Sequence, residues 1–160
     1  MQSGMVSDKL KYQLVEGLPS KGLLDEILDV YKSIFNDYKL DFFKSRVSDK
    51  EDLLIALCYN QRNIVGFKIG YRYNETTFYS WVGGVLPEQR KQGIAKKLAE
   101  LQEQKVREKG YIKLRTKSMN RFKPMMILNL KNGFDIVQVY TNDSGQTKVV
   151  FEKHLVKEKD

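Results

Sequence analysis

The stretch VLPEQRKQGIAKKLAELQ, residues 85–102, decides how this chain folds. It joins a run with the composition of a β-strand to a run with the period of an α-helix, through a basic turn that contains Gly93. The first turn of a helix presents main-chain N–H groups without internal partners and a partial positive charge. The stretch therefore predicts a bound anion, above all a phosphate, where the helix begins.

The residues around this turn favour the same interpretation. Gly93 has no Cβ atom, so the backbone can approach an anion closely, and Ala95 is nearly as small. Four cationic side chains flank the turn, namely Arg90, Lys91, Lys96 and Lys97. The glycine spacing excludes a P-loop, G-x-x-x-x-G-K-[ST], and the dinucleotide fingerprint, G-x-G-x-x-G.

Length and composition suit one domain with an apolar core. The chain has 160 residues, of which 41% are apolar, and we expect a single domain over residues 1–160, with residues 1–4 as a remnant of the expression vector. No apolar run approaches the roughly 20 residues that span a bilayer. No signal-peptide pattern opens the chain, which predicts a cytoplasmic protein without a membrane partner.

The single cysteine and the net charge narrow the chemistry. Cys58 lies within the apolar run LLIALCY, which predicts a buried thiol, and one cysteine allows no internal disulfide. The net charge of +8 predicts an anionic ligand. Nucleic acid, a membrane face and a phosphorylated small molecule all meet that description.

The periodicity of apolar residues predicts eleven elements around a mixed sheet. We expect a helix after the cap Ser20, and a buried face on the third helix formed by Ile94, Ala95, Leu98, Leu101 and Val106. The predicted strands cover residues 10–16, 53–59, 64–73, 77–86, 111–118, 134–141 and 147–155. The predicted helices cover residues 21–36, part of 38–48, 93–109 and 121–131. The fold class is α/β of the α+β type, with about seven strands and about four helices.

Two segments carry a family resemblance. VLPEQRKQGIAKKL resembles the acyl-CoA-binding segment of the GNAT superfamily of N-acetyltransferases, whose signature [RQ]-x-x-G-x-[GA] follows a strand ending in V-x-P. Residues 85–87 supply that strand end and residues 90–95 supply the signature. MNRFKPMMILNLKNGFDIV, residues 119–137, resembles the second landmark, an Asn-led helix ending in Gly-Phe. The resemblance covers residues 10–155 and implies the acyl-CoA N-acyltransferase fold of that family.

The resemblance implies acetyl-CoA as co-substrate, no metal, and direct transfer of the acetyl group to an amine. Main-chain N–H groups from Arg90 through Lys96 would hold the pyrophosphate. The strand ending at Val85 would separate from its neighbour, with Gly83 and Gly84 permitting the bulge, and would bind the pantetheine arm and the thioester carbonyl. Glycines inside a strand indicate a bulge or a close approach of another backbone. The implied cofactor-binding residues are Val85, Arg90, Lys91, Gln92, Gly93, Ile94, Ala95, Lys96, Asn120 and Asn129.

One position departs from the family pattern. Many members place a tyrosine four residues before the glycine of Gly-Phe, where it protonates the thiolate leaving group, and here that position is Asn129. An amide can donate a hydrogen bond to sulfur but cannot act as an acid. Asn129 is interpreted either as a coenzyme A contact or as a buried structural amide on a helical face with Phe122, Met125 and Met126.

The catalytic residues stay unassigned from the sequence. Glu75 and Glu88 are predicted to be solvated turn charges, and His154 to be structural. An aromatic group that could line an acceptor cleft or belong to the core comprises Tyr38, Phe42, Phe43, Tyr79 and Trp81.

The expected function is transfer of acetyl from acetyl-CoA to a primary amine of a small molecule or a protein. The alternatives are a non-catalytic coenzyme A-binding or regulatory module with the same fold, and a nucleic-acid binder. We do not expect nucleic acid, because no binding motif accompanies the charge. Relatives are often dimers, which makes a homodimer an expectation.

Overall fold

Seven strands form one mixed sheet in the computed structural model, which describes residues 9–36 and 38–156. The strands are β1 Leu10–Glu16, β2 Leu54–Asn60, β3 Asn63–Arg72, β4 Thr77–Val85, β5 Lys113–Met119, β6 Asp135–Thr141 and β7 Thr147–His154. Their order is β1-β2-β3-β4-β5-β7-β6, and only β4 and β5 run parallel. The predicted fold class and order of elements are confirmed. Residues 1–4, interpreted as a vector remnant, lie outside the described residues.

Within the described residues, four helices flank the sheet. They are α1 Lys21–Ile34, α2 Leu40–Asp49, α3 Ile94–Glu108 and α4 Lys123–Lys131. The hydroxyl of Ser20 accepts a hydrogen bond from the main-chain N–H of Leu23 at 3.2 Å, so the predicted cap of α1 is confirmed. Helices α1 and α2 pack over one face of the sheet, and α3 packs over the other.

The core has one apolar layer on each side of the sheet. Beneath α1 and α2 it contains Ile27, Phe43 and Phe67, and beneath α3 it contains Leu98 and Val106 among others. Cys58 is fully buried, as predicted, and this burial raises the pKa of its thiol. Across residues 9–36 and 38–156, no helix is long and apolar enough to cross a membrane.

The buried face of α3 differs from the predicted one. Ala95 is exposed and Leu101 is only half-buried, whereas Gln102 is 1% exposed. The residues that α3 buries are Ile94, Leu98, Gln102 and Val106, at a spacing of four. One narrow row of side chains thus faces the sheet, and a polar residue occupies one position in it.

An apolar surface remains exposed where α4 meets β6, the edge strand of the sheet. Phe122 is 49% exposed and Met125 is 50% exposed, whereas Asn129, predicted on the same helical face, is buried. We call this region the apolar edge surface, defined by Phe122, Met125, Ile127, Leu128, Leu130, Ile136, Val137 and Val139.

Candidate active site

The turn between β4 and α3 has the backbone of an anion site. After Val85 the chain forms a short 3-10 helix, Pro87–Gln89, and Gly93 then caps α3 with φ at 79°. A Cβ atom at Gly93 would meet nothing within 4 Å. Crowding therefore does not demand glycine there; the left-handed conformation favours it.

Main-chain donors are free at this turn. The N–H groups of residues 91–96 make no hydrogen bond to any described residue, and no side chain caps the helix at Gly93. The first turn of α3 contains no acidic residue. Among the described residues no carboxylate pairs with the four cations of this turn, Arg90, Lys91, Lys96 and Lys97. Unpaired main-chain N–H groups and unpaired cationic side chains therefore lie together at the start of α3.

A gap between β4 and β5 opens toward the same edge of the sheet. The two strands pair only where residues 77–79 face residues 113–115. The hydroxyl of Thr116 still donates to the main-chain oxygen of Ser80 at 3.0 Å, and beyond it the strands no longer pair. Because they run parallel, their carboxyl ends lie at one edge, where α3 also begins. We call this wedge the β4–β5 gap; it is the predicted separation of the strands.

The bulge in β4 lies at Trp81 and not at the glycine pair, where the close backbone approach is the alternative that the structure has. Pairing with β3 passes from Ser80 to Val82, which leaves Trp81 as the extra residue. The glycines instead permit close packing. A Cβ at Gly83 would lie 2.9 Å from the main-chain oxygen of Phe67, and one at Gly84 would lie 2.9 Å from Ile34 Cδ1.

The structure brings most of the predicted cofactor-binding residues to this edge. Ile94 is 2% exposed, so only its main chain is available there, while Ala95 and Lys96 are exposed. The carbonyl of Val85 already accepts a hydrogen bond from Arg90 Nε at 3.1 Å. The side-chain amide of Gln92 donates to the Gln89 carbonyl at 3.1 Å and holds the turn together.

Asn120 and Asn129 lie next to the gap on the β5 side. Asn120 directly follows β5, its residue is exposed, and its main-chain N–H donates to the Thr147 carbonyl at 2.9 Å. Asn129 is 8% exposed, and its amide donates to the hydroxyl of Ser118 at 3.2 Å. Ser118 belongs to the part of β5 that does not pair with β4. Asn129 is thus a buried, bonded amide that lies beside the gap.

The aromatic residues considered for an acceptor cleft lie in different environments. Phe43 is a core residue at 1% exposed, and Trp81 packs on it with ring centroids 4.8 Å apart. Tyr38 and Phe42 are exposed, and Tyr79 borders a cavity. The remaining candidates Glu75, Glu88 and His154 are exposed, as predicted for the two glutamates.

A cavity that sequence reasoning missed lies near Tyr79. We call it the basic cavity; its volume is about 270 Å³, and it is lined by Arg46, Lys50, Tyr71, Arg72, Tyr73, Tyr79 and Lys117. Burial raises the pKa of Tyr79 to about 12, so its hydroxyl stays protonated near neutral pH. Two local patterns hint at this cavity, Phe42 with Arg46 one helical turn apart and the run Tyr71-Arg72-Tyr73. Within the described residues, no three His, Cys, Asp or Glu lie close enough to hold a metal ion.

Comparison with known proteins agrees with this geometry. The model of the acetyltransferase (GNAT) family matches residues 21–123. The chain belongs to this family. The match covers the α3 turn and ends just after β5, so both borders of the β4–β5 gap lie within it. A search of curated proteins finds no match.

Solved structures show the same fold at low sequence identity. The Escherichia coli ribosomal-protein-S18-alanine N-acetyltransferase has a TM-score of 0.76 at 13% identity, over 94% of this chain and 97% of that one. A GNAT family acetyltransferase from Elizabethkingia anophelis with acetyl-CoA bound scores 0.72 at 16% identity, over 92% and 99%. The aminoglycoside 6'-N-acetyltransferase from Enterococcus faecium scores 0.75 at 16% identity, also over 92% and 99%.

Proposed function

We propose that this GNAT protein is an N-acetyltransferase that transfers the acetyl group of acetyl-CoA directly to a primary amine. One observation carries the proposal: the free N–H donors of residues 91–96 and the open end of the β4–β5 gap lie at the same edge of the sheet. The first suits a pyrophosphate. The second offers unpaired strand edges to the amide-bearing pantetheine arm.

The residues present fit coenzyme A. The pyrophosphate would accept hydrogen bonds from the main chain of residues 91–96, with the four cations of the turn around it. The pantetheine arm would enter the gap between β4 and β5, with Val85 on one side and Asn120 and Asn129 on the other. That a structure of the same fold holds acetyl-CoA supports this arrangement.

Direct transfer is consistent with the nucleophiles of this chain. The nitrogen lone pair of a neutral amine attacks the thioester carbonyl, the C–N bond forms and the C–S bond breaks. The nitrogen then loses one proton and the sulfur gains one, so the exchange balances without a covalent enzyme intermediate. Cys58, the one thiol of the chain, is fully buried and its pKa is raised, so it is a poor nucleophile.

Tyr79 can donate a hydrogen bond to the leaving sulfur; because a phenol with a pKa of about 12 holds its proton more tightly than a thiol does, the proton that the sulfur gains comes from water. Tyr79 is the last β4 residue paired with β5, and therefore stands at the base of the gap. With a pKa of about 12 its hydroxyl is a neutral donor at pH 7. We place it as the hydrogen-bond donor to the leaving sulfur, with the amide of Asn129 as a positioning group held by Ser118.

The acceptor is proposed here only as an amine, without a narrower chemical class. Structures of this fold act on a ribosomal-protein alanine and on aminoglycosides, according to their names. A non-catalytic coenzyme A-binding module is the second candidate function, and the amide at position 129 is the observation that favours it.

Turnover separates the two candidates. Acetyl-CoA is incubated with the protein and a panel of amines, release of the coenzyme A thiol is followed, and mass spectrometry identifies the acetylated product. We expect turnover with at least one amine, and Tyr79→Phe should lower kcat about tenfold or more while the Kd for acetyl-CoA is unchanged. Tyr38→Phe, a change at an exposed tyrosine of another segment, is the control. Tight acetyl-CoA binding with no turnover on any amine would favour the non-catalytic module.

A further inference from the structure

The basic cavity lies on the face of the sheet opposite α3. Tyr71 and Tyr79, which pair across β3 and β4, belong to the apolar cluster beneath α1 and α2, whereas Phe78, the residue before Tyr79, packs with Val106 of α3. An acceptor that enters here would reach the gap from the side away from the start of α3. It would not compete with the coenzyme A pyrophosphate for space.

The cavity also lies at the base of the β4–β5 gap. Tyr79 is the last residue of β4 that pairs with β5, and Lys117 follows the last paired residue of β5 by two positions. Both side chains line the cavity. If acetyl-CoA occupies the gap as proposed above, on which this inference rests, the cavity is where the attacking amine would be held.

Three of the four cations of the cavity have no carboxylate partner among the described residues. Four cations and no carboxylate line the cavity. Arg72 has a distant ion pair with Glu51 at 3.9 Å, but no ion pair joins Arg46, Lys50 or Lys117 to a carboxylate of the described residues. These cations keep access to water, and they border one concave space. Such a space attracts anions.

Arg46 is held in place for this role. Its Nε donates to the hydroxyl of Tyr71 at 2.9 Å, and its guanidinium stacks 4.8 Å from the ring of Trp81. No hydrogen bond joins the two terminal nitrogens of this guanidinium to another described residue. An arginine fixed through Nε with both terminal nitrogens free suits bidentate binding of a carboxylate or phosphate.

We propose that the acceptor is a small amine that carries an anionic group, a carboxylate or a phosphate, bound in the basic cavity by Arg46, Lys50 and Lys117. The volume of about 270 Å³ is at the small end of ligand sites, which fits an amino acid or a phosphorylated amine. A polycation such as a polyamine would meet four like charges and is disfavoured there.

The same charges assist the chemistry. Nearby positive charges lower the pKa of a bound ammonium group, because they disfavour its charged form. The acceptor would then lose its proton to water on binding and reach the thioester as a neutral amine. This explains why no carboxylate or imidazole lines the cavity to act as a base.

Binding is measured without turnover through Trp81, the single tryptophan of the chain. Phosphoethanolamine, glutamate and two counterparts that lack the anionic group, ethanolamine and glutamine amide, are titrated while the fluorescence of Trp81 is recorded. An anion that engages Arg46 changes the environment of the ring beneath the guanidinium. We expect saturation by phosphoethanolamine, by glutamate or by both, which identifies the anionic group, and no saturation by the counterparts.

Two variants and a control give the assay its specificity. Lys117→Gln, at an exposed side chain, and Arg46→Gln should each weaken anion binding about tenfold, or raise KM for the acceptor by that factor. Lys44→Gln removes the same charge from an exposed position of α2 outside the cavity and should change neither. The affinity for acetyl-CoA should stay unchanged in all three variants.

The outcomes separate this inference from the proposed function. Failure to bind acetyl-CoA would overturn the proposed function itself. Binding of acetyl-CoA with acetylation of spermidine or ethanolamine in preference to the anionic amines would overturn only the anionic acceptor. The anionic acceptor would also be overturned if an acidic peptide saturated the Trp81 signal and neither small amine did. A loss of anion affinity in Lys44→Gln equal to that in Lys117→Gln would overturn it as well.

Discussion

Gln102 is a polar residue in the most buried row of α3, and its replacement should stabilise the protein. The side chain is 1% exposed, and neither its amide nitrogen nor its amide oxygen has a hydrogen-bond partner. It packs against Gly70, where a Cβ would lie 3.0 Å from the amide nitrogen. Gln102→Met keeps the length of the side chain and removes both unpaired atoms.

The size of the gain follows from the cost of burying unpaired polar groups. Each such group costs about 1–3 kcal/mol, and a methionine of similar volume loses little packing. We therefore expect the free energy of unfolding to rise by about 2 kcal/mol. For a chain of 160 residues that corresponds to an increase in Tm of roughly 4–8 °C.

Urea unfolding followed by circular dichroism measures this change. Gln104→Met, at an exposed position of the same helix, is the control and should change the free energy of unfolding by less than about 0.5 kcal/mol. The Kd for acetyl-CoA should stay unchanged, because Gln102 faces the sheet and not the β4–β5 gap. A loss of stability in Gln102→Met would refute the reasoning and indicate that a buried water binds the amide.

Three further outcomes are expected. Burial acts to raise the pKa of Asp52, but hydrogen bonds from Lys109 and Tyr111 outweigh it, and the pKa lies below 3.8. The stability that this carboxylate contributes is present above about pH 4 and is lost as the pH falls through its lower folded pKa. Asp52→Asn should therefore cost about 1–2 kcal/mol at pH 7, and the stability of the variant should depend less on pH in the acid range. Burial raises the pKa of Tyr79 from 10.0 to about 12, so the contribution of Tyr79 to stability falls as the pH rises between those values, by about 3 kcal/mol at most. Tyr79→Phe should reduce the alkaline loss of stability by that amount, and the loss due to Tyr12, whose pKa is also raised to about 12, should remain. The eight apolar side chains of the apolar edge surface are 46% to 58% exposed and lie along α4 and the edge strand β6, so we expect self-association through β6 in sedimentation. Val139→Lys should abolish it and Lys44→Gln should not; a monomeric wild type would contradict this.

The sequence predicted the framework because local patterns determine it. Helices begin or end where the local sequence favours it, and each such signal involves only a few neighbouring residues. The structure has helix boundaries near the three signals Ser20, Gly93 and Gly133. The gap between β4 and β5 was also anticipated, but only through the family resemblance. Nothing in the composition of either strand shows that they cease to pair.

The errors arose where distant parts of the chain decide the outcome. Gln102 is buried because one row of α3 residues packs against Gly66 and Gly70 of β3. The helical pattern of the sequence, taken without the sheet, predicts that the neighbouring Leu101 is buried instead. The bulge at Trp81 is set by the register with β3, which glycine content does not reveal.

The basic cavity could not be predicted for the same reason. Its side chains come from α2, β3, β4 and β5, and in sequence each cation resembles an ordinary surface charge. Only the pairing of the strands brings Lys117 beside Tyr79.

Calorimetric titration of acetyl-CoA into the purified protein tests the central claim most directly, with Gly93→Trp and Gly110→Trp as a matched pair. Both glycines have left-handed backbones, at φ 79° and 93°, and open space around a Cβ, but they lie at opposite ends of α3. We predict micromolar binding by the wild type, little change in Gly110→Trp, and a loss of about tenfold or more in Gly93→Trp. No binding by the folded wild type, or equal binding by the two variants, would contradict a coenzyme A site at the start of α3.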